Sequence, residues 1–373
     1  MRIGVDASRA TRLHRTGPEN YSLHLLQALL GLERARDHQF LLYFNEPPEG
    51  TLFPWQPNTR ERILRFPRLW TQLRLSWEMV RQRPDVLFVP AHVLPIVHPR
   101  SVVTIHDLGY LYYPEAYHAL DHWYLRTFTA LSARWAKVIL VDSQVTKEDV
   151  MEHLNVPEER IAVVYLAPSQ EFTPYATAGE RERLAAQYGI EGDYILYVGT
   201  LHPRKNVGRL VEAFAVLRRE AGLSERLVLA GEKGWVPPEL LDQMQEVSQA
   251  ITLTGFLPPE DLPALMRHAR VLVLPSLFEG FGMPVIEAMA CGTAVIASNA
   301  GSLPEVAGEA AILVDPEDTL DIARGIYRVC TNEALRERLR ALGLQRAATF
   351  TWERSAQAAL DALEQAAQGS PRP

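Results

Sequence analysis

Cysteine and long apolar runs are scarce in this chain of 373 residues, and each shortage excludes a class of protein. The two cysteines, Cys291 and Cys330, are too few for a disulfide framework or a cysteine-rich metal site, and they suit a reducing compartment. No stretch approaches the roughly 20 apolar residues that a membrane-spanning helix needs. The first residues, MRIGVDASRA, lack the apolar core of a signal peptide. We therefore expect a cytoplasmic protein that is soluble or at most lies peripherally on the inner face of a membrane.

An excess of positive charge is also missing. The chain has 38 basic and 45 acidic side chains, a net charge of -7, which argues against a nucleic-acid partner. The charge is uneven, because residues 1–170 carry 19 basic and 18 acidic side chains whereas residues 171–373 carry 19 and 27. Together with the length, this division predicts two domains.

The sequence does contain a repeated alternation of short apolar, β-branched runs and longer helical patterns. Apolar runs that are separated by helices are typical of parallel sheets covered by helices on both faces. We therefore predict an α/β protein in which two doubly wound, Rossmann-like domains face each other across a cleft. The predicted strands are 3–6, 40–44, 86–89, 102–105, 138–141 and 161–165 in the first domain and 194–198, 227–230, 251–254, 271–274, 294–297 and 311–314 in the second.

The alternation stops in the segment APSQEFTPYATAGE over 167–180, which holds two prolines and no apolar periodicity. This interruption predicts a first domain over 1–170, a linker over 171–189 and a second domain over 190–350. A helical pattern over 352–365 follows as the last element.

Ligands of open α/β sheets bind beyond the carboxyl ends of the strands, and the segment SLFEGFGMPVIEAMACG follows the predicted strand 271–274. Gly280 and Gly282 let the backbone approach a ligand closely, and the helix after them would offer unpaired N–H groups to a phosphate. Glu279 precedes this turn, and Glu287 follows it eight residues later. The segment predicts an anion site flanked by two carboxylates. Taken alone, either glutamate has the alternative role of stabilising its own loop or helix.

A second motif, GTLHPRKN over Gly199–Asn206, follows the predicted strand 194–198. Asn206 is suited to capping the next helix. Arg204 and Lys205 stand between strand and helix, where cationic side chains would neutralise a diphosphate. The motif is not a P-loop, because no glycine precedes Lys205 and Asn206 replaces the required Ser or Thr. The alternative interpretation is a solvated basic turn.

In the first domain, His106 and Asp107 directly follow the predicted strand 102–105. At this position His106 is a candidate for the cleft, although a structural histidine and a capping aspartate are the alternatives. Gly17 lies in a second small turn that would approach a ligand from this domain. No histidine, cysteine or acidic spacing typical of a metal site is found in the sequence, so no metal is expected.

The stretch Arg60–Arg83 has seven arginines and two acids, interleaved with apolar residues that include Trp70 and Trp77. Basic amphipathic segments can lie on anionic membranes. We favour the simpler interpretation, in which a helix packs its apolar face on the sheet and its arginines are solvated, and we keep peripheral membrane contact as the alternative.

At this point the chain resembles the retaining glycosyltransferases of family 4, which have the GT-B fold. The resemblance covers essentially the whole chain. It rests on Glu279-Gly280-Phe281-Gly282 with Glu287, an E-x7-E signature, on Gly199–Asn206 with Lys205, and on the sequence GSLPE over 301–305.

The resemblance implies roles for these residues. Glu287 would hold the ribose hydroxyls of a sugar nucleotide, and Glu279 would contact hydroxyls of the transferred sugar. Lys205 would bind the diphosphate, and His106 would lie near the donor sugar. The resemblance also implies that the backbone of the glycine-containing turns contacts the donor; these turns contain Gly17, Gly199 and Gly280-Phe281-Gly282.

The sequence departs from the family's pattern at two positions where contacts with the donor diphosphate are expected. Thr200 stands where many members have an arginine, so Arg204 would supply the second positive charge. Only Gly17 is present where many members have a double glycine. In GT-B relatives the last helix crosses back onto the first domain, which suits 352–365.

The resemblance implies a retaining, metal-independent transfer of a hexose, with mannose favoured, from a nucleotide-diphosphate sugar to a hydroxyl of a saccharide or lipid-linked acceptor. No cofactor besides this donor is expected. Two alternatives are a GT-B sugar-nucleotide epimerase or hydrolase and a non-catalytic sugar-nucleotide-binding protein. An NAD oxidoreductase is disfavoured, because Val285 occupies the third glycine position of the dinucleotide fingerprint.

Overall fold

The structure is a computed structural model and describes residues 1–11, 17–50, 52–53, 56–114, 117–231, 247–255, 257–258 and 260–368. The chain divides into two compact units. The first is Met1–Leu166 with Thr351–Pro373, and the second is Ala167–Phe350.

The first unit contains a seven-stranded parallel sheet in the order β3-β2-β1-β4-β5-β6-β7, with β1 paired to β2 on one side and β4 on the other. The central strands are buried on both faces, as their apolar runs predict. The strands are β1 Arg2–Asp6, β2 Gln39–Phe44, β3 Thr59–Ile63, β4 Val86–Val89, β5 Arg100–Ile105, β6 Val138–Val141 and β7 Ile161–Val163. The helices are α1 Gly17–Gly31, α2 Ser76–Arg81, α3 Gly109–Tyr112, α4 Ala119–Trp135 and α5 Gln144–Leu154.

The edge strand β3 was not predicted. Its sequence, TRERI, has no apolar run, because among the described strands it pairs with β2 alone and three of its five residues are exposed. An edge strand with charged side chains is hard to recognise from hydrophobic pattern.

The stretch 60–83 is not the single helix that we predicted. It begins in β3 and continues through a π-helical segment, Trp70–Leu75, into α2. Trp70 and Met79 are buried in the core of the first unit, in agreement with the interpretation that we favoured. Five other apolar side chains of the same stretch are exposed, which that interpretation did not anticipate; they are Ile63, Leu69, Leu73, Trp77 and Val80.

The second unit contains a six-stranded parallel sheet in the order β10-β9-β8-β11-β12-β13, and the sequence predicted all six strands. In this sheet β8 lies between β9 and β11. The strands are β8 Tyr194–Val198, β9 Arg226–Ala230, β10 Ile251–Gly255, β11 Val271–Leu274, β12 Ala294–Ser298 and β13 Ala311–Val314. The helices are α6 Glu180–Tyr188, α7 Val207–Glu220, α8 Asp261–His268, α9 Met283–Ala290, α10 Leu303–Ala307, α11 Thr319–Thr331 and α12 Glu333–Ala347.

The segment 171–189, for which we predicted a linker, contains α6 and belongs to the second unit. The buried Glu180 carboxylate ties α6 to α8, since it accepts hydrogen bonds from Arg267 at 2.7 Å and from His268 at 3.0 Å. The sequence of this segment is polar and contains prolines, and it gives no sign of the charged partners that Glu180 has in α8.

The last helix, α13 Trp352–Gln368, returns to the first unit and packs against α1. Ser355 donates a hydrogen bond to the Tyr165 carbonyl at 2.5 Å, and Arg34 forms ion pairs with Asp361 and Glu364 at 2.8 and 2.7 Å. Among the described helices, none combines the length and the apolar character that crossing a membrane requires. Both sheets are parallel, so each presents its strand-following loops at one edge.

Candidate active site

In the second unit, the two motifs singled out in the sequence follow neighbouring strands. Gly199–Asn206 follows β8, and Ser276–Gly282 follows β11, which pairs with β8. Because parallel strands end at the same edge of a sheet, residues about 70 positions apart become neighbours. The Leu277 N–H donates a hydrogen bond to the Arg204 carbonyl at 2.9 Å, which joins the two loops directly.

The Glu279 carboxylate is the centre of this edge. Its Oε1 accepts hydrogen bonds from Lys205 Nζ at 2.6 Å and from Ser276 Oγ at 2.7 Å. Arg204 Nη1 lies 3.5 Å from the Oε2 atom and donates a hydrogen bond to the Phe278 carbonyl at 2.7 Å. The structure therefore brings three of the predicted site residues, Arg204, Lys205 and Glu279, into one cluster.

Glu279 is buried, with 6% of its surface exposed, and this burial raises the pKa of its carboxyl. The Lys205 ammonium and the Arg204 guanidinium outweigh that effect, with help from the hydrogen bonds of Lys205 and Ser276, so the net pKa lies below the ordinary value. The carboxylate is therefore charged at neutral pH, and the cluster carries two positive charges and one negative charge.

Asn206 fixes the cationic loop in place, although not as the helix cap that we predicted. Its side chain donates hydrogen bonds to the carbonyls of Pro275 at 3.0 Å and Pro316 at 2.6 Å and caps no helical N–H group. The residue has a φ of 58°, a left-handed conformation that asparagine tolerates better than most residues. The loops after β8, β11 and β13 are thereby tied together.

The turn that leads into α9 requires glycine. Gly282 has a φ of 93°, and a Cβ atom there would lie 2.4 Å from Leu303. A Cβ atom on Gly301 would lie 2.9 Å from the Glu279 carbonyl, which also accepts a hydrogen bond from Ser302 Oγ at 2.9 Å. The GSLPE segment is thus packed directly on the backbone of Glu279.

Glu287 lies on α9 and is also buried, with 9% of its surface exposed. Among the described residues, no side chain or N–H group donates a hydrogen bond to its carboxyl group. Burial alone raises its pKa to about 8. The two glutamates of the E-x7-E signature therefore differ, since Glu279 is held by two cations, whereas none of the described residues places a cation beside Glu287 to favour its charged form.

The remaining predicted positions of the second unit are backbone or core positions. Phe281 is buried, and its ring packs edge-on against Phe350 with the centroids 5.7 Å apart. Gly280 is buried in the same turn, and Gly199 has a φ of 150°, in the region that favours glycine.

In the first unit, His106 follows β5 and forms a hydrogen bond with Asp142, which follows β6; its Nδ1 lies 2.7 Å from Asp142 Oδ2. Burial lowers the pKa of His106, but the Asp142 carboxylate and, to a smaller extent, the Asp107 carboxylate together raise it by more, so the net pKa is above the ordinary value. The Nε2 atom of His106 is buried and has no hydrogen-bond partner among the described residues. His92 accepts a hydrogen bond from the His106 backbone N–H at 3.3 Å, and Tyr21 packs edge-on against the His106 ring.

Asp142 and His92 were not among the residues predicted for the site. Asp142 directly follows a predicted strand, so the same strand-exit rule would have identified it. His92 lies in a loop with no pattern that could have pointed to it. Asp107 has the capping role that was the alternative, since its Oδ1 accepts a hydrogen bond from the Gly109 N–H at 2.8 Å. Gly17 begins α1, and a Cβ atom there would have no neighbour within 4 Å among the residues that the structure describes.

The site residues are thus divided between the units, with His106 in the first and Arg204, Lys205, Glu279 and Glu287 in the second. Within the described ranges, no group of three or more His, Cys, Asp or Glu side chains is arranged to hold a metal ion. The second unit offers two cations, a glycine turn and two dissimilar carboxyl groups, which can together bind a polyhydroxylated anion.

Comparison with known proteins identifies the family. Residues 180–346 match the family model described as glycosyl transferases group 1, and residues 16–167 match the model of glycosyltransferase family 4. The chain is 35% identical over 290 residues to the O-antigen chain mannosyltransferase B of Escherichia coli, covering 77% of this chain and 76% of that protein.

Solved structures agree in fold. Sucrose-phosphate synthase from Thermosynechococcus elongatus superposes with a TM-score of 0.74 at 21% identity, over 98% of each chain. The Anabaena protein HepE, in complex with UDP and glucose, superposes with a TM-score of 0.73 at 17% identity, over 97% of this chain and 99% of that one. The two parallel sheets, the motifs at their edges and these comparisons agree. The chain belongs to family 4 of the glycosyltransferases and has the GT-B fold.

Proposed function

We propose that this glycosyltransferase moves a hexose, with mannose favoured, from a nucleotide-diphosphate sugar to a hydroxyl of a saccharide or lipid-linked acceptor. The proposed transfer retains the anomeric configuration and needs no metal ion. The observation that carries the proposal is the buried Glu287 carboxyl group, which lies beside a glycine turn and receives no hydrogen bond from the described residues. The mannosyltransferase relative supports the choice of sugar.

Glu287 would bind the ribose of the donor. A buried carboxylate without donors is costly, and the two adjacent hydroxyls of a ribose are donors of the right kind. The charged form of Glu287, which burial disfavours in the empty protein, would then be stabilised by two hydrogen bonds. The nucleotide would in this way supply donors that the described residues do not offer to this carboxyl group.

Lys205 and Arg204 would bind the diphosphate. Lys205 forms an ion pair with Glu279, so its ammonium is held at the strand edge. A diphosphate brings negative charge that the two cations and the N–H groups of the Gly280–Gly282 turn can stabilise. These groups would take the place that a metal ion has in other phosphate sites.

Glu279 would then accept hydrogen bonds from hydroxyls of the transferred hexose. The acceptor hydroxyl would attack the anomeric carbon on the face that the diphosphate leaves. The carbon–oxygen bond to the phosphate breaks as the new glycosidic bond forms, and the leaving phosphate oxygen takes the proton of the acceptor hydroxyl. Lys205 and Arg204 would stabilise the charge that develops on the leaving group.

On the first unit, we assign His106 to the donor sugar. Asp142 accepts the Nδ1 hydrogen and so fixes the ring orientation, which leaves Nε2 for the sugar. The raised pKa of His106 favours the cation, in which Nε2 is a donor.

The direct test of this function is a transfer assay. We expect a screen of GDP-, UDP-, dTDP- and ADP-linked hexoses by thermal shift to identify a donor. The enzyme should transfer the sugar of this donor with unchanged anomeric configuration, which NMR of the product measures. It should also keep its activity in EDTA. An inverted linkage, or activity lost in EDTA and restored by magnesium or manganese, would contradict the proposed mechanism. Donor turnover to a rearranged sugar without any acceptor would instead support the epimerase alternative.

Changing each of the two glutamates to glutamine should have different effects on nucleotide binding and on turnover. Glu287→Gln should weaken the binding of a nucleoside diphosphate by ~1.5–3 kcal/mol, roughly ten- to a hundredfold, because charged hydrogen bonds to the ribose are lost. Glu279→Gln should bind the nucleotide at least as well as the wild type, since Lys205 loses its internal partner, yet should turn over the sugar nucleotide slowly.

Calorimetry and steady-state kinetics, with melting curves for every variant, make this comparison. The exposed Glu309→Gln is the matched control and should behave as the wild type. A tenfold or greater loss of nucleotide affinity in Glu279→Gln, at an unchanged melting temperature, would show that the two roles are assigned wrongly.

Donor binding should also depend on pH through Glu287. Its pKa of about 8 means that the Glu287 carboxyl group is mostly protonated at pH 7 before a donor binds. Ribose hydroxyls favour the carboxylate and lower this pKa, so binding at pH 7 releases a proton and affinity rises with pH until it levels above about 8. Calorimetry of a sugar nucleotide in buffers of different ionisation enthalpy measures this release. We expect it to be absent in Glu287→Gln; equal proton release in both proteins would exclude Glu287 as its source.

A further inference from the structure

His92 contacts the histidine that we assign to the donor sugar, and the proposed transfer gives it no role. It lies in the loop after β4, whereas His106 directly follows β5, and the two strands are neighbours in the first sheet. The His106 backbone N–H donates a hydrogen bond to His92 Nε2 at 3.3 Å, and the centroids of the two rings lie 5.5 Å apart. The loop after β4 is thereby joined to the main chain of His106.

The main chain of His106 lies just beyond the paired part of the sheet. β5 pairs with β4 as far as Val103 and with β6 as far as Ile105. His106 is buried, so its N–H group requires an acceptor from outside these two pairings. The His92 ring supplies that acceptor, and Thr146 Oγ1 donates a hydrogen bond to the His106 carbonyl at 3.4 Å. Side chains therefore hold both backbone groups of His106.

The hydrogen bond fixes the protonation state of His92. A backbone N–H can only donate, so Nε2 must keep its lone pair, and the hydrogen of the neutral ring is on Nδ1. Burial lowers the pKa of His92 far below its ordinary value. The charge of His106 also lowers this pKa, as does that of Arg9, whereas the Asp107 carboxylate acts in the opposite direction. The ring is thus neutral at physiological pH, as an acceptor of this hydrogen bond must be.

The ring of His106 is held as firmly as its main chain. Asp142 Oδ2 lies 2.7 Å from Nδ1, and Tyr21 packs edge-on against the ring with the centroids 4.8 Å apart. The Tyr21 hydroxyl is in turn hydrogen-bonded to Thr104 of β5 at 3.1 Å. These contacts set the direction of the ring, whereas the contact with His92 sets the place from which the side chain projects.

We infer that His92 is a positioning residue for His106: its neutral ring holds the main chain at the end of β5, and so keeps the His106 side chain where the donor sugar would bind. This inference rests on the proposed contact between His106 and that sugar. In this role His92 acts through Nε2 and touches no substrate. Transfer depends on the exact placement of the groups around the anomeric carbon, so a small displacement of His106 lowers turnover.

The rival role for His92 uses its other ring nitrogen. The Nδ1 atom is buried and has no hydrogen-bond partner among the described residues. In the rival role, Nδ1–H would donate a hydrogen bond to a sugar hydroxyl, and the contact between Nε2 and the His106 N–H would be incidental. The two nitrogens can be separated by substitution, because the amide of asparagine reaches about as far from the backbone as Nδ1 and that of glutamine about as far as Nε2.

Turnover of the two variants tests which nitrogen matters. His92→Gln keeps an acceptor for the His106 N–H and should retain turnover within about threefold of the wild type. His92→Asn loses this acceptor and should lower kcat about ten- to a hundredfold. Both should bind the free nucleoside diphosphate as the wild type does, since the residues proposed for it lie in the second unit. The substrate is the sugar nucleotide that the screen of GDP-, UDP-, dTDP- and ADP-linked hexoses identifies.

The exposed His118 of the same unit provides matched controls, and His118→Gln and His118→Asn should both behave as the wild type. Normal turnover in His92→Asn with a loss in His92→Gln would establish the rival role. Equal turnover in the two His92 variants, whether normal or reduced, would show that Nε2 positions nothing. Slow turnover in His106→Gln beside normal turnover in His92→Asn would contradict this inference alone. Normal turnover in His106→Gln would instead remove His106 from the proposed function and this inference with it.

NMR of the wild type labelled with 15N in its histidine side chains tests the protonation state without any substrate. The His92 signals are those that disappear in both His92 variants. They should show the hydrogen on Nδ1, a lone pair on Nε2 and no titration between about pH 5 and pH 8. A His92 ring that carries its hydrogen on Nε2, or that becomes charged within this range, would exclude the inference even if neither variant folded well enough for kinetics.

Discussion

The buried ion pair between Lys205 and Glu279 is the interaction on which the rest of the site depends. A charge taken out of water requires a partner, and removing one member of such a pair leaves the other uncompensated. Each member follows a different strand, so the 2.6 Å contact forms only when β8 and β11 are neighbours. The pair thereby couples the fold of the second sheet to the position of a cation at its carboxyl edge. It also keeps Glu279 charged at neutral pH, in contrast to Glu287.

The two sheets share one architecture but differ in the chemistry of their carboxyl edges. The second unit combines cations, a glycine turn and two carboxyl groups of opposite pKa tendency, which suits a ligand that is both anionic and rich in hydroxyls. The first unit has a buried His106–Asp142 pair at the corresponding edge of its sheet. The residues that we propose for the ribose and the diphosphate therefore all lie in the second unit, and the first unit contributes His106 to the proposal.

Much of this could be predicted from sequence, because continuous apolar runs identify strands that are buried on both faces. The strand-exit rule then pointed to Lys205 and Glu279 before any contact was known. What could not be predicted depends on tertiary contacts. β3 has no apolar run, and Asn206 bonds to carbonyls 69 and 110 residues away instead of capping its helix. The exposed apolar side chains of 60–83 resemble core residues in any one-dimensional pattern.

The central claim is that the cation held by Glu279 binds the donor diphosphate, and the scarcity of lysine allows a direct measurement. The chain has four lysines, so NMR of protein labelled with 13C and 15N at the lysine side chains should give four signals, and Lys205→Arg identifies that of Lys205. We predict that a nucleoside diphosphate shifts the Lys205 signal and leaves those of Lys137 and Lys147 unchanged. A bound nucleotide, confirmed by calorimetry, that leaves the Lys205 signal unmoved would contradict the account.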